Sequence, residues 1–404
     1  MDSAHEPNGQ RPLHILILSD RDWTHPQGGG TGTNLFGQVS RWMTWGHRVS
    51  VIACSHPGAA PVEHIGDLTL HRVGGRSTVF PRAIFRQWRG LVPDADVVLE
   101  VVNGVAFLTP LWLRGPRVTL VHHIHRDHYV REMGTAGRVA AFVLETLPLR
   151  LLYRRSRFLT ISRASAEDIA AHGIPRDRIE VGYIGVEHGA FAPDPAARAL
   201  EPTLLYLGRL KRYKRLEVLL DVLAGNPAAV LEIAGDGDHR EALQAQIDAR
   251  GLTARVRMHG HVSEDHKRQL YQRAWLNVTA SSAEGWCLSV MEAAACGTPS
   301  AALAVGGLPE SIEDGRTGIL ARDPQELAAK VGTILADPVL RDSMGRAALG
   351  RAADFTWDAT ARNTLALLQA ERLRWLERHG QAPRQPAPLR AAGPAEEEAP
   401  VPHA

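Results

Sequence analysis

The chain has 404 residues, 44% hydrophobic and 22% charged, which is room for two globular domains and too balanced for a disordered or fibrous protein. Its formal net charge of +2 makes no electrostatic case for nucleic acid, and none is expected as a partner. Three cysteines (Cys54, Cys287 and Cys296), none in CxxC spacing, exclude a zinc ribbon and argue against a disulfide framework, so a reducing, cytoplasmic compartment is expected.

Residues 1–12 are polar, lack the apolar run of a signal peptide and read as a disordered lead. The runs "HILILS" (14–19), "RVSVIAC" (48–54), "DVVLEV" (96–101) and "RVTLVHH" (117–123) predict strands buried on both faces. A helix is expected around "NLFGQVSRWMTWG", closed by Gly46. Strands alternating with helices imply a parallel α/β sheet, here an amino-terminal domain over 13–190. The Pro/Ala-rich stretch 188–202 then reads as a linker.

The same pattern restarts in a second domain, expected over 203–355. "TLLYLGR" (203–209), "AVLEIAG" (229–235), "RVRMHGH" (255–261) and "LNVTAS" (276–281) read as strands, with helices near 214–223, 238–250 and 264–273. An amphipathic helix is predicted over 356–378, and the Pro/Ala-rich residues 380–404 should be disordered. No stretch reaches the ~18 uninterrupted apolar residues of a membrane span.

The chemistry concentrates after residue 203. In "EGWCLSVMEAAACGTP" (284–299), a loop leads into a helix closed by Gly297, so Leu288 and Ser289 sit at its amino end, where free N–H groups suit phosphate. Glu284 precedes that helix and Glu292 lies inside it, ~12 Å further along by helical rise, the length scale of a nucleotide sugar. A buried helix with a capping loop would look much the same. "LGRLKRYKRLEVLL" (207–220) puts Arg209 and Lys214 after a strand, where two cations would neutralise a diphosphate leaving group. "AGDGDHR" (234–240) and "AVGGLPESIEDGRTGIL" (304–320) add glycine turns, the second opening a helix near Pro309 with Glu310 in its first turn.

Together these motifs resemble the donor domain of the family 4 glycosyltransferases, which are retaining enzymes of GT-B fold. The resemblance implies α/β architecture of GT-B type, two Rossmann-like domains facing each other across a cleft. The activity it implies is hexosyl transfer from a nucleotide diphosphate sugar, with no cofactor and no metal. Glu284 then meets the sugar hydroxyls and Glu292 the ribose. Arg209 and Lys214 clamp the diphosphate with help from the backbone at Leu288 and Ser289, and Gly235 and Val262 complete the donor pocket. The carboxy-terminal helix would return to the first domain. Cys287, where glycine is usual, and Ser300–Ala301 are departures that remove no charged group.

The amino-terminal half is less specific. "HPQGGGTGTN" (25–34) is a glycine-rich loop that fails the dinucleotide pattern, since its first glycine comes too long after the strand. In the family such a loop approaches the donor phosphates, a role assigned here to Gly29 and Gly30; a flexible surface loop is the plainer reading. "TLVHHIHRDHY" (119–129) sets His122, His123, His125 and His128 at a strand end, without the cysteines or spacing that a metal site needs. By resemblance His122, with His123 next, lies near the transferred sugar, and Asp127 could orient the acceptor.

The acceptor stays open between a polysaccharide or lipid-linked glycan and a small secondary metabolite. Arg82, Arg86, Trp88 and Arg89, with Arg150, Arg154 and Arg155, form cationic and aromatic patches suited to anionic lipid at the inner membrane face, or simply solvated helix faces. A nucleotide-sugar epimerase of the same fold and a non-catalytic sugar-nucleotide-binding protein are the alternatives. A nicotinamide oxidoreductase lacks its glycine fingerprint here.

Overall fold

Alternate side chains of the run His14–Leu18 enter two different cores. Ile15 and Ile17 pack with Val49, Val51, Leu99 and Val101, while Leu16 and Leu18 pack with Ile52 and Val98. Such doubly buried strands are what a parallel sheet requires, and they explain the near-continuous apolar runs. A computed structural model describes residues 11–92, 94–124, 134–139 and 141–380. The chain divides into two units: the first takes in residues to Thr160, Asp168–Gly182 and the chain from Ala361, the second Ile161–Glu167 and Tyr183–Thr360.

The first unit contains an eight-stranded sheet in the order β3-β4-β2-β1-β5-β6-β7-β8. Its strands are β1 (His14–Leu18), β2 (Arg48–Ala53), β3 (Val62–Ile65), β4 (Leu68–Arg72), β5 (Val97–Val102), β6 (Arg117–Val121), β7 (Arg157–Thr160) and β8 (Ile179–Val181). All neighbours run parallel except β3, which pairs antiparallel with β4. The helix Gly29–Thr44 buries Leu35, Val39 and Trp42. It starts five residues before the position expected from the sequence. Gly29 and Gly30 therefore form its first turn and are not a loop ahead of it, with Gly29 entering at φ +59°.

The second unit carries a six-stranded, all-parallel sheet in the order β11-β10-β9-β12-β13-β14. These are β9 (Thr203–Leu207), β10 (Val230–Ala234), β11 (Val256–Gly260), β12 (Leu276–Thr279), β13 (Ser300–Leu303) and β14 (Gly318–Ala321). Helices Leu216–Ala224, Glu264–Arg273 and Leu288–Ala295 follow β9, β11 and β12. The boundary at Gly182 and Tyr183 lies before the Pro/Ala-rich stretch 188–202, which belongs wholly to the second unit.

The helix Trp357–Arg378 belongs to both groupings: Trp357 joins the second unit's core, whereas Ala361, Leu365 and Leu368 join the first unit's. Trp42 Nε1 donates to the Ala361 carbonyl at 3.0 Å.

Each sheet reverses its strand order once. In the first unit this happens between β1 and β5, in the second between β9 and β12. Loops leaving adjacent strands in opposite directions open a crevice at the carboxyl ends, the usual ligand position in open α/β sheets.

Candidate active site

Lys214 and Glu284 leave the two strands that flank the second unit's reversal. Lys214 ends a single 3-10 turn, Arg212–Lys214, beyond β9, and Glu284 lies in the loop beyond β12. The Lys214 Nζ stands 2.5 Å from Glu284 Oε1, with the two side chains 14% and 10% exposed. Ser281 Oγ donates to the same oxygen at 2.6 Å. The loops are stitched by Ser282, whose N–H donates to the Tyr213 carbonyl at 2.8 Å. Burial by itself would lower the Lys214 pKa, but the Glu284 carboxylate outweighs it and raises it above the usual lysine range. Lys214 is thus a fixed, fully charged cation at the crevice.

Glycines let this backbone close up. The Glu284 carbonyl accepts from Gly307 N at 2.8 Å, and a Cβ on Gly306 would fall 2.1 Å from that carbonyl oxygen. Gly235, at φ +128°, abuts the loop after β9, where a Cβ would come within 2.0 Å of the Gly208 carbonyl oxygen. Arg209 leaves that same loop exposed, and among the described residues no hydrogen bond or ion pair engages its guanidinium. Val262 is half-buried in the core that also holds Leu288 and Tyr271.

Leu288 and Ser289 open the helix Leu288–Ala295, and Cys287 precedes them in a left-handed conformation, φ 72° and ψ 82°. The Cys287 Sγ lies 3.3 Å from Ser289 Oγ. Burial, followed by the charge of Glu284, pushes this thiol up to about 12, so it stays protonated and is no nucleophile at neutral pH.

Glu292, 7% exposed, is engaged by a separate pair. Its Oε1 lies 3.0 Å from Lys267 Nζ and its Oε2 accepts from the Tyr271 hydroxyl at 2.8 Å. Both partners stand one turn apart on the helix Glu264–Arg273. Burial opposes the charge on Lys267, and Glu292 with Glu264 overcomes it and raises the lysine's pKa. The two glutamates thus belong to two ion pairs, and the Cys287 thiol is within electrostatic reach of both Lys214 and Tyr271. Lys267 and Tyr271 escaped the sequence reading. The signal was available: Lys267 is one of four lysines in the chain, with an aromatic four positions on along a predicted helix.

In the first unit His122 follows β6 and is 5% exposed. Gln38 Nε2 donates to Asn34 Oδ1 at 2.9 Å, which turns the Asn34 amide so that Nδ2 donates to His122 Nε2, also at 2.9 Å. His122 Nε2 is therefore the unprotonated nitrogen. Burial, aided by His123, lowers its pKa to about 3, so the ring is neutral across the physiological range. His123 is half-buried, and His125, Asp127 and His128 lie outside the described residues.

Beyond β1 a buried polar cluster also went unread. Arg72 Nε donates to Asp22 Oδ2 at 2.8 Å, and Arg21 Nη1 donates to the Gln27 carbonyl at 2.6 Å, which fixes the approach to Gly29. Asp22 and Arg72 lie 50 residues apart in the chain, so no local spacing announces them.

Two family models match the chain: "Glycosyl transferase 4-like domain" over residues 29–185 and "Glycosyl transferases group 1" over 192–351. A D-inositol 3-phosphate glycosyltransferase of Segniliparus rotundus is 33% identical over 406 residues, spanning 89% of either chain. This chain belongs to the family 4 glycosyltransferases. Another D-inositol 3-phosphate glycosyltransferase, from Arthrobacter sp., is 31% identical over 69% of this glycosyltransferase and 70% of that protein.

Solved structures agree on the fold, two parallel-sheet α/β units of GT-B type. Sucrose-phosphate synthase from Thermosynechococcus elongatus superposes with TM-score 0.76 at 22% identity, covering 89% of this glycosyltransferase and 99% of that chain. The lipopolysaccharide-biosynthesis glycosyltransferase WaaG gives 0.72 at 15% identity, covering 88% and 99%. Anabaena HepE, solved in complex with UDP-glucose, gives 0.69 at 19% identity, covering 89% and 100%.

Proposed function

We propose that this glycosyltransferase moves a hexosyl-type sugar from a nucleotide diphosphate sugar with retention of anomeric configuration, using no metal and no cofactor. One observation carries the reading: a half-buried lysine, held charged by the carboxylate it pairs with, at the strand-order reversal of the second unit. When the glycosidic bond breaks, negative charge grows on the diphosphate. Lys214, Arg209 and the N–H groups at Leu288 and Ser289 are suited to receive it, and a cation already held in place needs no reorganisation as the charge develops.

Glu284 shares its lysine with the departing phosphate and turns its other oxygen to the sugar hydroxyls. Glu292, steadied by Lys267 and Tyr271, accepts from the ribose, and Gly235 and Val262 border the base. Gly29 and Gly30 bring the first unit's backbone N–H groups to the phosphates. His122 is a hydrogen-bonding wall for the sugar, since a neutral ring with Nε2 engaged by Asn34 is neither a cation nor a ready proton donor. Attack from the leaving-group face, with the phosphate taking the acceptor's proton, requires no enzyme nucleophile, in keeping with the protonated Cys287.

HepE was solved with UDP-glucose, which makes a uridine diphosphate sugar the first donor to try. The relatives that act on D-inositol 3-phosphate make a phosphorylated cyclitol the first acceptor of the small-metabolite class, beside polysaccharide and lipid-linked glycans. The enzyme works in the cytoplasm, with peripheral contact at the inner membrane face when the acceptor is lipid-linked. The test is to incubate the enzyme with a panel of nucleotide sugars and follow nucleoside diphosphate release and the anomeric configuration of the product. Slow donor hydrolysis, quickened by one acceptor class, supports the reading. Inversion, a strict metal requirement, or sugar interconversion without transfer overturns it.

A further inference from the structure

One face of the first unit's sheet is covered by segments whose outer sides are apolar. The register pairs Ile52 with Leu18, Leu18 with Glu100, Glu100 with Thr119 and Thr119 with Phe158, which puts these side chains on a single face. Val79 and Ala83 of the helix Val79–Trp88 pack onto it, as do Phe107 and Leu113. Glu100, fully buried there, accepts from Phe107 N at 2.8 Å and from the Tyr153 hydroxyl at 2.6 Å. Three stretches, 79–91, 107–114 and the helical run ending at Tyr153, therefore form one covering layer.

The outward side of this layer is unusual for a protein surface. Phe85 is 52% and Trp88 80% exposed, on the face of their helix opposite Val79 and Ala83. Leu111 projects from the middle stretch, and Phe142, Leu147 and Leu151 from the last. Of the fourteen large apolar side chains exposed among the described residues, ten lie between Phe85 and Leu151 in this layer or directly beside it. Isolated exposed leucines need no explanation, but a concentration of this kind marks an interaction surface.

The charge is as one-sided as the hydrophobicity. Arg82, Arg89, Arg114 and Arg150 are exposed on the same stretches, and Arg154 and Arg155 directly after the last of them. Among the described residues of these stretches, the one acidic residue besides the fully buried Glu100 beneath them is Glu145, itself buried. The Arg89 guanidinium lies 4.9 Å from the Phe85 ring centroid, so cation and aromatic already form one amphipathic unit. A soluble protein partner could match the apolar side chains. A surface with arginines distributed among Trp, Phe and Leu, and no exposed carboxylate among the described residues of these three stretches, matches a bilayer that presents anionic headgroups above acyl chains.

We infer that this face docks on an anionic lipid surface, with Trp88 and Phe85 entering the interface and the arginines meeting the headgroups. No helix of the described residues is long and apolar enough to cross a membrane. The inferred contact is an interfacial one, made by exposed side chains. The inference extends the peripheral contact proposed above, but it stands on this surface and not on donor chemistry.

Sedimentation of the full chain with vesicles, no nucleotide sugar being present, tests it apart from catalysis. The chain should pellet with phosphatidylcholine vesicles containing phosphatidylglycerol, far less with phosphatidylcholine alone, and be released in part by salt. The paired changes Phe85→Ser/Trp88→Ser and Arg82→Glu/Arg89→Glu should each weaken partitioning by about tenfold or more. Unchanged thermal unfolding would show that both variants are folded. Equal pelleting of variants and parent, or no preference for anionic vesicles, overturns the inference. So does a dimer in sedimentation velocity that the same substitutions dissociate, because the face then belongs to a second copy.

Discussion

The strand-order reversals of the two sheets offer the same topological opportunity, and a titratable side chain near each meets the opposite fate. In the second unit a lysine is half-buried against a carboxylate, and their attraction keeps the cation charged in spite of desolvation. In the first unit, next to the reversal, a histidine is buried with an amide for partner, and desolvation wins: the ring loses its proton down to about pH 3. Burial sets the direction of the bare shift, and the partner decides whether the charge survives. The contrast is between these two side chains and not between whole units, since the first unit also buries the Asp22–Arg72 ion pair beyond β1.

The hardest blow to this contrast comes from removing the cation. Lys214→Ala should lower turnover by about 10²–10³-fold, the scale of losing one preorganised stabiliser of developing charge. Steady-state kinetics beside circular dichroism checks it, and near-normal turnover in a folded variant would erase the distinction between the two side chains. Gly235→Ala tests whether the loops around that cation depend on backbone contact. A Cβ 2.0 Å from the Gly208 carbonyl oxygen at φ +128° should cost about 2–4 kcal/mol in chemical denaturation.

Glu292→Gln should weaken nucleoside diphosphate binding about tenfold in calorimetry while turnover at saturating donor falls less, since it removes one charge-assisted hydrogen bond. Affinity left unchanged would leave Glu292 as a purely structural partner of Lys267 and Tyr271.

The neutral side of the contrast has a pH signature. The folded pKa of His122 lies below its unfolded value of 6.5, so between about pH 3 and 6.5 the unfolded chain binds more protons. Stability from this group is complete above pH 6.5 and is lost as pH falls through that window. His122→Gln should flatten this part of the urea-midpoint profile, and an identical profile would mean that the ring is not buried neutral. The smallest effect is expected for Cys287→Gly. Relief of a left-handed non-glycine residue, offset by glycine's greater unfolded entropy, should leave stability within about 1 kcal/mol of the parent.

Legibility followed local pattern. β1, β2, β5, β6, β9, β10 and β12 were plain because doubly buried strands are written as apolar runs, and the partly exposed edge strand β11 was read as well. The hairpin β3–β4 was missed, since "VEHIGDLTLHR" is short, half-exposed and polar. So were β13 and β14, whose four-residue segments "SAAL" and "GILA" carry little β signal. The early start of the helix at Gly29 went against propensity, because three glycines in succession read as a loop and tertiary packing overrode them. Among site residues, Lys214, Glu284, Leu288 and Ser289 stood out through local motifs, whereas Asn34, Lys267, Tyr271 and Arg72 did not, their partners being distant in the chain.

What the sequence alone determined is the set of parts: two series of parallel strands, a family's motifs, and the positions of the cations and carboxylates in the loops that follow strands. Those are local properties of composition and period, readable wherever a pattern repeats over a few residues. Which carboxylate answers which cation was decided only in three dimensions. Glu284 meets Lys214 across 70 residues of chain because β12 lies beside β9, and Glu292 turns to Lys267 and Tyr271 because its helix packs near theirs. Electrostatic partnership falls off within a few ångströms, and spacing along a chain does not report distances on that scale.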